Sequence, residues 1–257
     1  MKEQYTTIPV CEECDTRVKD YHRFCPNCGA FLGAEAETVN IFNNRYLRSA
    51  FFFYALYLAI CLLVKYTSWF DNYDRLFWIE ITVALITVWF AWRNKETIQP
   101  VLKFNHFTWG ILLGVIALSA LFSWLVNISM SELNVSLFNR DISIYSGYKI
   151  YMAPVVVMVY SVALVPALFE ELAFRGVLYN YLASILDERL VVMVSGFIFA
   201  AMHLSPISLV WLIPFGILLG FLRMKYNTIW YGVVFHFIFN FTACMMDLYR
   251  DGQLWWQ

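Results

Sequence analysis

Seven long apolar runs set the terms on which this 257-residue chain can fold. A helix rises about 1.5 Å per residue, so about 20 apolar residues cross a hydrocarbon core of about 30 Å. The runs cover residues 46–64, 76–92, 107–126, 151–168, 190–203, 207–222 and 229–248, the fourth continuing as helix to about Leu186. Lipid offers the backbone no hydrogen-bond partners, so such runs are expected as transmembrane helices. Only 14% of the residues are charged, against about 25% in soluble proteins, which argues against a soluble fold. The expected class is an all-α polytopic membrane helical bundle of about seven spans. The fifth and sixth runs are short and meet at Ser205-Pro206, and Pro214 is expected to kink the sixth. Short or broken spans are tolerated where they are buried in protein or line a cavity. That places this pair near the functional centre.

Ahead of the runs lies a polar head. Four of the six cysteines form two C-x-x-C pairs, Cys11 with Cys14 and Cys25 with Cys28. Each pair offers two thiolates from one turn, and two turns close a tetrahedral site, the pattern of a small zinc ribbon. Gly29 permits the tight backbone after the second pair. Too few apolar residues lie between Tyr5 and Leu32 for a core, so metal binding would supply the folding free energy. Four thiolates fill the coordination sphere, so the zinc is expected to be structural and His22 a surface residue. Two disulfides are the competing reading, less favoured by the paired spacing. The ribbon is expected to bind a protein partner, to regulate, or to cap the chain. Cys61 and Cys244 sit singly in apolar runs and read as packing residues.

The division expected is a zinc ribbon at 1–33, a linker at 34–44, helices and a polar connection at 45–150, a catalytic core at 151–250 and a tail at 251–257. Residues 1–40 lack the apolar stretch of a cleaved signal peptide, so the first span is expected to act as its own signal. Arg45, Arg48, Arg93, Lys95, Lys103, Arg189, Arg223 and Lys225 fall on one side of the bundle. The other side dilutes its cations with Asp71, Asp74, Glu132, Asp141 and Asp251. This bias puts the N-terminus in the cytoplasm, and a bacterial cell membrane is the expected location. Trp69, Trp78, Trp92, Trp109, Trp230 and Trp255 fit interfacial belts. The net charge of −1 and the absence of a basic stripe give no sign of a nucleic-acid partner. Membrane lipids are the expected surroundings.

Charges inside a span are costly and by default mark function. Glu170, Glu171 and Arg175 follow the fourth run. Helical residues are about 100° apart, so Glu171 and Arg175 share a face at i,i+4 and are expected to pair, leaving Glu170 to face a cavity. His203 ends the fifth run, and His236 and Asn240 lie one turn apart on the seventh. Any one of these histidines alone fits a structural interhelical hydrogen bond. Together they form a kit for hydrolysis. Glu170, oriented by His203, would act as general base on water, and His236 and Asn240 would donate to a tetrahedral oxyanion. No G-x-S-x-G nucleophile motif is present. Glu80, in the second run, is expected near the interface.

Three motifs occur in order: Glu-Glu-x-x-x-Arg at 170–175, Phe-x-x-x-His at 199–203 and His-x-x-x-Asn at 236–240. The set resembles the CPBP (Abi) family of intramembrane glutamate proteases, which includes type II CAAX prenyl endopeptidases and bacteriocin-processing or self-immunity proteins. The resemblance covers roughly 151–248 and leaves the first three spans and the ribbon outside it. It implies Glu170 and His203 as water activators, His236 and Asn240 as the oxyanion hole, and Glu171 and Arg175 in support. It also implies a membrane-associated or lipidated peptide or protein as substrate, with no catalytic metal.

Two other readings stay open on the residues. A zinc metalloprotease would use Glu170, His203 and His236 as ligands. A non-enzymatic membrane scaffold or immunity protein would keep the polar cluster for binding. Depth is the difficulty for the first reading. Counted from Tyr151, Glu170 lies about 28 Å along its span, near one surface, whereas His203 ends a span running the other way. They meet only if the fourth helix is tilted or runs on beyond Arg175, or if the fifth span is a half-membrane helix.

Overall fold

The computed structural model describes residues 10–18, 24–30, 32, 43–70, 73–104, 107–139 and 143–252. His22, His106, Trp255, residues 34–42 of the expected linker and residues 253–257 of the expected tail lie outside them. The chain divides into two compact units, Met1–Asn43 and Asn44–Gln257.

In the first unit the two cysteine pairs sit in matching turns. Cys11 N–H donates to Thr16 O at 2.9 Å and Cys25 N–H to Ala30 O at 2.8 Å. Inside each turn, Asp15 N–H reaches Cys11 O and Gly29 N–H reaches Cys25 O. Asp15 and Gly29 both take positive φ, 52° and 75°, which closes the turn tightly enough to aim two sulfurs the same way.

The second unit is a bundle of seven main helices. They are α1 (Arg45–Tyr66), α2 (Tyr73–Arg93), α3 (Trp109–Phe138), α4 (Pro154–Ala183), α5 (Glu188–Met202), α6 (Leu209–Tyr226) and α7 (Trp230–Arg250). Six are long and apolar enough to cross a membrane. The fifth expected span is α5, a 15-residue helix only about 22 Å long, so the count of full spans is six. The ends follow local chemistry. Asn44 Oδ1 caps α1 by accepting from the Tyr46 and Leu47 amides, and Asp187 Oδ1 caps α5 through Leu190. Asn139 and Asn227, at φ 53° and 48°, end α3 and α6 in the left-handed conformation that asparagine tolerates.

Two expected boundaries move. The third span was expected to stop at Val126 with a polar connection after it, but α3 runs 30 residues to Phe138. Its polar side chains turn back on their own helix. Asn127 Nδ2 donates to Ser123 O, and Ser129 Oγ donates to Leu125 O. The fourth helix spans 30 residues from Pro154 to Ala183, with wider π-helical turns at Val159–Leu164 and Leu172–Leu178. Such turns often accompany functional sites.

Helices pack by close approach and interhelical hydrogen bonds, as expected where lipid competes for apolar contact. A Cβ on Gly216 would lie 2.6 Å from Gly196 O, and one on Gly196 would lie 2.7 Å from Ile217 N. One turn along, Gly220 faces Val192. These glycines let α5 and α6 touch backbone to backbone. On the other side, Ser119 and Ser123 of α3 donate to Phe235 O and Phe239 O of α7 at 2.5 and 2.7 Å. At one end of the bundle Asn94 meets Tyr181, Asn180 meets Thr97 O, and Thr228 bonds Val101 O and Lys103 O. At the other, buried Asp247 accepts from Tyr145 N–H at 2.7 Å and Ser143 Oγ at 3.2 Å, docking the turn before α4.

Gly196→Ala and Gly216→Ala are each expected to cost roughly 1–3 kcal/mol, read as a lowered unfolding temperature of the detergent-purified protein. Gly114→Ala, whose methyl meets nothing within 4 Å, is expected to leave that temperature unchanged.

Candidate active site

The deepest polar feature is a pair of fully buried side chains, Glu171 and Arg175, whose i,i+4 contact is 2.9 Å between Oε1 and Nη1. A charge here is tolerable only when paired, and each member keeps one buried atom, Glu171 Oε2 and Arg175 Nε, without a hydrogen-bond partner among the described residues. Arg175 Nη2 donates to Gly216 O at 3.0 Å, and its guanidinium carbon lies 4.4 Å from the Phe199 ring centroid. Glu171 Oε1 also faces His236 Nδ1 at 3.0 Å. One carboxylate thereby joins α4, α6 and α7. Its Oε2 lies against Gly232, where a Cβ would come within 2.8 Å. This network absorbs Glu171 into the scaffold and turns Glu170, one residue earlier, another way.

Glu170 and His203 both line two cavities. The smaller, about 290 Å³, also holds His236 and Asn240, between walls that include Phe199, Trp211 and Phe215. The four side chains expected in catalysis are thus brought to one chamber. The larger, about 430 Å³, is bounded by α1, α2 and α4 and is lined mostly by apolar groups such as Ile60, Leu76 and Phe169.

Of the ways expected, the fourth helix does run on beyond Arg175, to Ala183, and α5 is short, at 15 residues. Glu170 lies 13 residues before Ala183, and His203 lies 15 residues after Glu188. Measured from those neighbouring ends, the two groups sit about 20 and about 22 Å into the bundle.

Three of these four side chains, His203, His236 and Asn240, are each held by a specific partner. His203 lies just past the end of α5 with Nδ1 3.1 Å from Phe199 O. Donation to that carbonyl fixes the proton on Nδ1 and leaves Nε2 as acceptor. The next residue, Leu204, has φ 51°, a conformation disfavoured for a bulky residue and characteristic of functional sites. Its carbonyl accepts from Lys65 Nζ at 2.5 Å, tying the α5–α6 turn to α1. Asn240 Nδ2 donates to Val162 O at 2.8 Å, in the first π-helical stretch. That bond uses one of the two amide hydrogens and leaves the second. His236 is buried between Phe199 and Phe215, whose ring centroids lie 6.0 and 5.1 Å away.

Sequence reasoning missed several contributors. Gly196, Gly216 and Gly232 carry a signal only in retrospect, as small residues inside apolar helices. Glu80, expected near the interface, instead lines the larger cavity with Glu170, because α4 packs over it.

The head is a separate metal-type site. Its four sulfurs lie within 4.8 Å of one another, with Cys11–Cys28 at 3.6 Å and Cys14–Cys25 at 3.5 Å. Zinc–sulfur bonds of about 2.3 Å set the edges of a tetrahedral site at about 3.8 Å, so these residues fit the ion. The Thr16 hydroxyl 3.2 Å from Cys14 Sγ is the first cause that brings this thiol down to about 6, towards the thiolate that binds metal. Among the described residues these four cysteines are the group whose ligand atoms converge on one point.

Replacing Arg175 by Ala leaves Glu171 buried beside His236 alone, an expected loss of about 3–5 kcal/mol that thermal unfolding in detergent would measure.

Comparison with known proteins adds one match. Residues 152–242 match the model of the Rce1-like family, described as type II CAAX prenyl endopeptidase Rce1-like. No curated protein and no solved structure matches the chain. The matched segment takes in nearly all of α4 to α7 and every residue of the smaller cavity's polar set. Residues 152–242 of the membrane unit are thus similar to the Rce1-like family of type II CAAX prenyl endopeptidases.

Proposed function

We propose that this protein is an intramembrane endopeptidase acting on membrane-associated or lipidated peptides, with water as the nucleophile. The observation that carries this reading is the gathering of Glu170, His203, His236 and Asn240 around one cavity.

The chemistry assigns each group a step. Glu170 takes a proton from water as the hydroxide oxygen attacks the scissile carbonyl carbon. His203, with Nδ1 engaged by Phe199 O, accepts at Nε2 and orients the water and the carboxyl group. The carbonyl oxygen becomes an oxyanion, and the remaining Asn240 N–H is free to donate to it. His236 donates there through Nε2 only if both its ring nitrogens carry protons, and Glu171, beside Nδ1, is the counter-ion for that imidazolium. The Glu170 carboxylic acid then returns its proton to the departing nitrogen as the C–N bond breaks. The products are a carboxylate and an amine.

One observation favours a metal-dependent reading. Both histidines have Nδ1 occupied by an acceptor and present Nε2, the arrangement of metal-binding histidines. Zinc content separates the two readings. The four-cysteine head is expected to carry one zinc per chain, and protein lacking residues 1–40 is expected to carry close to none. About one zinc in that shortened protein, lost on His236→Ala, would establish the metal-dependent reading instead. We also take the N-terminus as cytoplasmic and the ribbon as a structural module covering residues 1–33.

Glu170→Gln is expected to lower cleavage of a lipidated peptide in proteoliposomes by at least about 10²-fold, with folded protein in normal amount. Asn240→Ala is expected to lower turnover more than substrate binding, since its donor acts on the transition state. Normal cleavage by both folded variants would support a non-enzymatic role for the cluster.

A further inference from the structure

The larger cavity holds a polar pair that the proposed hydrolysis does not use. Glu80 of α2 and Ser161 of α4 both line it, on walls otherwise made mainly of Ile60, Ile79, Val83 and Val165. Glu80 Oε2 and Ser161 Oγ are each buried with no partner of full hydrogen-bond geometry among the described residues, and the Ser161 hydroxyl lies close enough to act on the Glu80 carboxyl. A carboxylate left so within a span is costly and marks a site that awaits a partner. The cation available in the cavity wall is Lys65, and its Nζ is engaged by Leu204 O on the His203 side. Nearby Tyr148 registers the carboxylate: burial first, then the Glu80 charge, pushes its hydroxyl up to about 12. Glu80 also lies outside the family-matched segment, so its role belongs to the surroundings of the core.

We propose that Glu80 and Ser161 form a substrate subsite that takes a cationic lysine or arginine side chain of the peptide lying in the larger cavity. The inference rests on the endopeptidase reading only in calling the occupant a substrate. Glu170 and His203 border this cavity as well as the smaller one. A peptide entering through the larger cavity therefore places one side chain against Glu80 while its scissile bond lies beside the activated water. The apolar walls receive the stem of a long basic side chain, and the acidic end receives its charge. Both buried acceptors are then satisfied by one donor group with several N–H bonds. The pair reads charge and hydrogen-bond donation together, so norleucine, which has the lysine stem without its ammonium, leaves both acceptors unpaired.

The test uses the full-length protein in proteoliposomes and a dansylated, lipidated peptide series. Each position flanking the scissile bond is varied among lysine, norleucine and glutamate. Binding is read with the Glu170→Gln protein, so the preference is measured without turnover. Cleavage is read with the protein carrying Glu170. At one position, lysine is expected to bind at least about tenfold more tightly than norleucine. Glu80→Gln should bring that ratio close to one, Ser161→Ala should reduce it, and Glu80→Lys should shift preference to the glutamate peptide. Equal affinity for lysine and norleucine at every position would overturn the subsite, as would a lysine preference that survives Glu80→Gln. If Glu80→Gln fails to fold, the Ser161→Ala ratio decides in the same way. Failure of the endopeptidase reading looks different, because the lysine preference and its loss in Glu80→Gln would remain while no peptide is cleaved.

Discussion

The contact of Glu171 with Arg175 and His236 is the constraint on which the membrane unit depends. A buried ion pair gains little over apolar packing, but losing one partner is severe because the other charge stays in a low-dielectric interior. Here the penalty is spread over three helices. Arg175 reaches the Gly216 carbonyl of α6, and Glu171 reaches His236 of α7. Beside that carbonyl, Gly196 and Gly216 bring α5 and α6 into backbone contact. Glycine packing, the ion pair and the orientation of the histidine are one device. Its product is a helix whose adjacent carboxylates face different surroundings, Glu171 the ion pair and Glu170 the cavities.

That separation also shapes the chamber. Glu170 points elsewhere than its neighbour, whose Oε1 is held by Arg175 and His236. His203 reaches the same depth because α5 is only 15 residues long and its following turn is pinned to Lys65. The two cavities that meet at these residues fit a division of labour. The small aromatic one suits the reacting carbonyl, and the larger apolar one suits the body of a membrane-anchored peptide.

Much of this was legible in the sequence, for physical reasons that can be named. Apolar runs longer than the bilayer is thick have few alternatives to helix, so seven helices were readable. The split between Glu170 and Glu171 followed from i,i+4 geometry and survives the π-helical turns beside it. His236 and Asn240 share a face for the same reason. What stayed hidden depends on partners distant in sequence. The polar residues after Val126 look like a loop until Asn127 and Ser129 are seen to bond carbonyls of their own helix. Glu80 looks interfacial until α4 covers it. The role of Gly232 appears only when Glu171 Oε2 is placed beside it.

The central claim is that Glu171 is the structural carboxylate and Glu170 the one left free for chemistry. Thermal unfolding of Glu170→Gln and Glu171→Gln, purified side by side in the same detergent, tests it most directly. The account predicts an unfolding temperature close to that of the unaltered protein for Glu170→Gln. It predicts a large drop for Glu171→Gln, where Arg175 loses its counter-charge, with partial recovery when Arg175→Met is added. A stable Glu171→Gln beside an unfolded Glu170→Gln would contradict it.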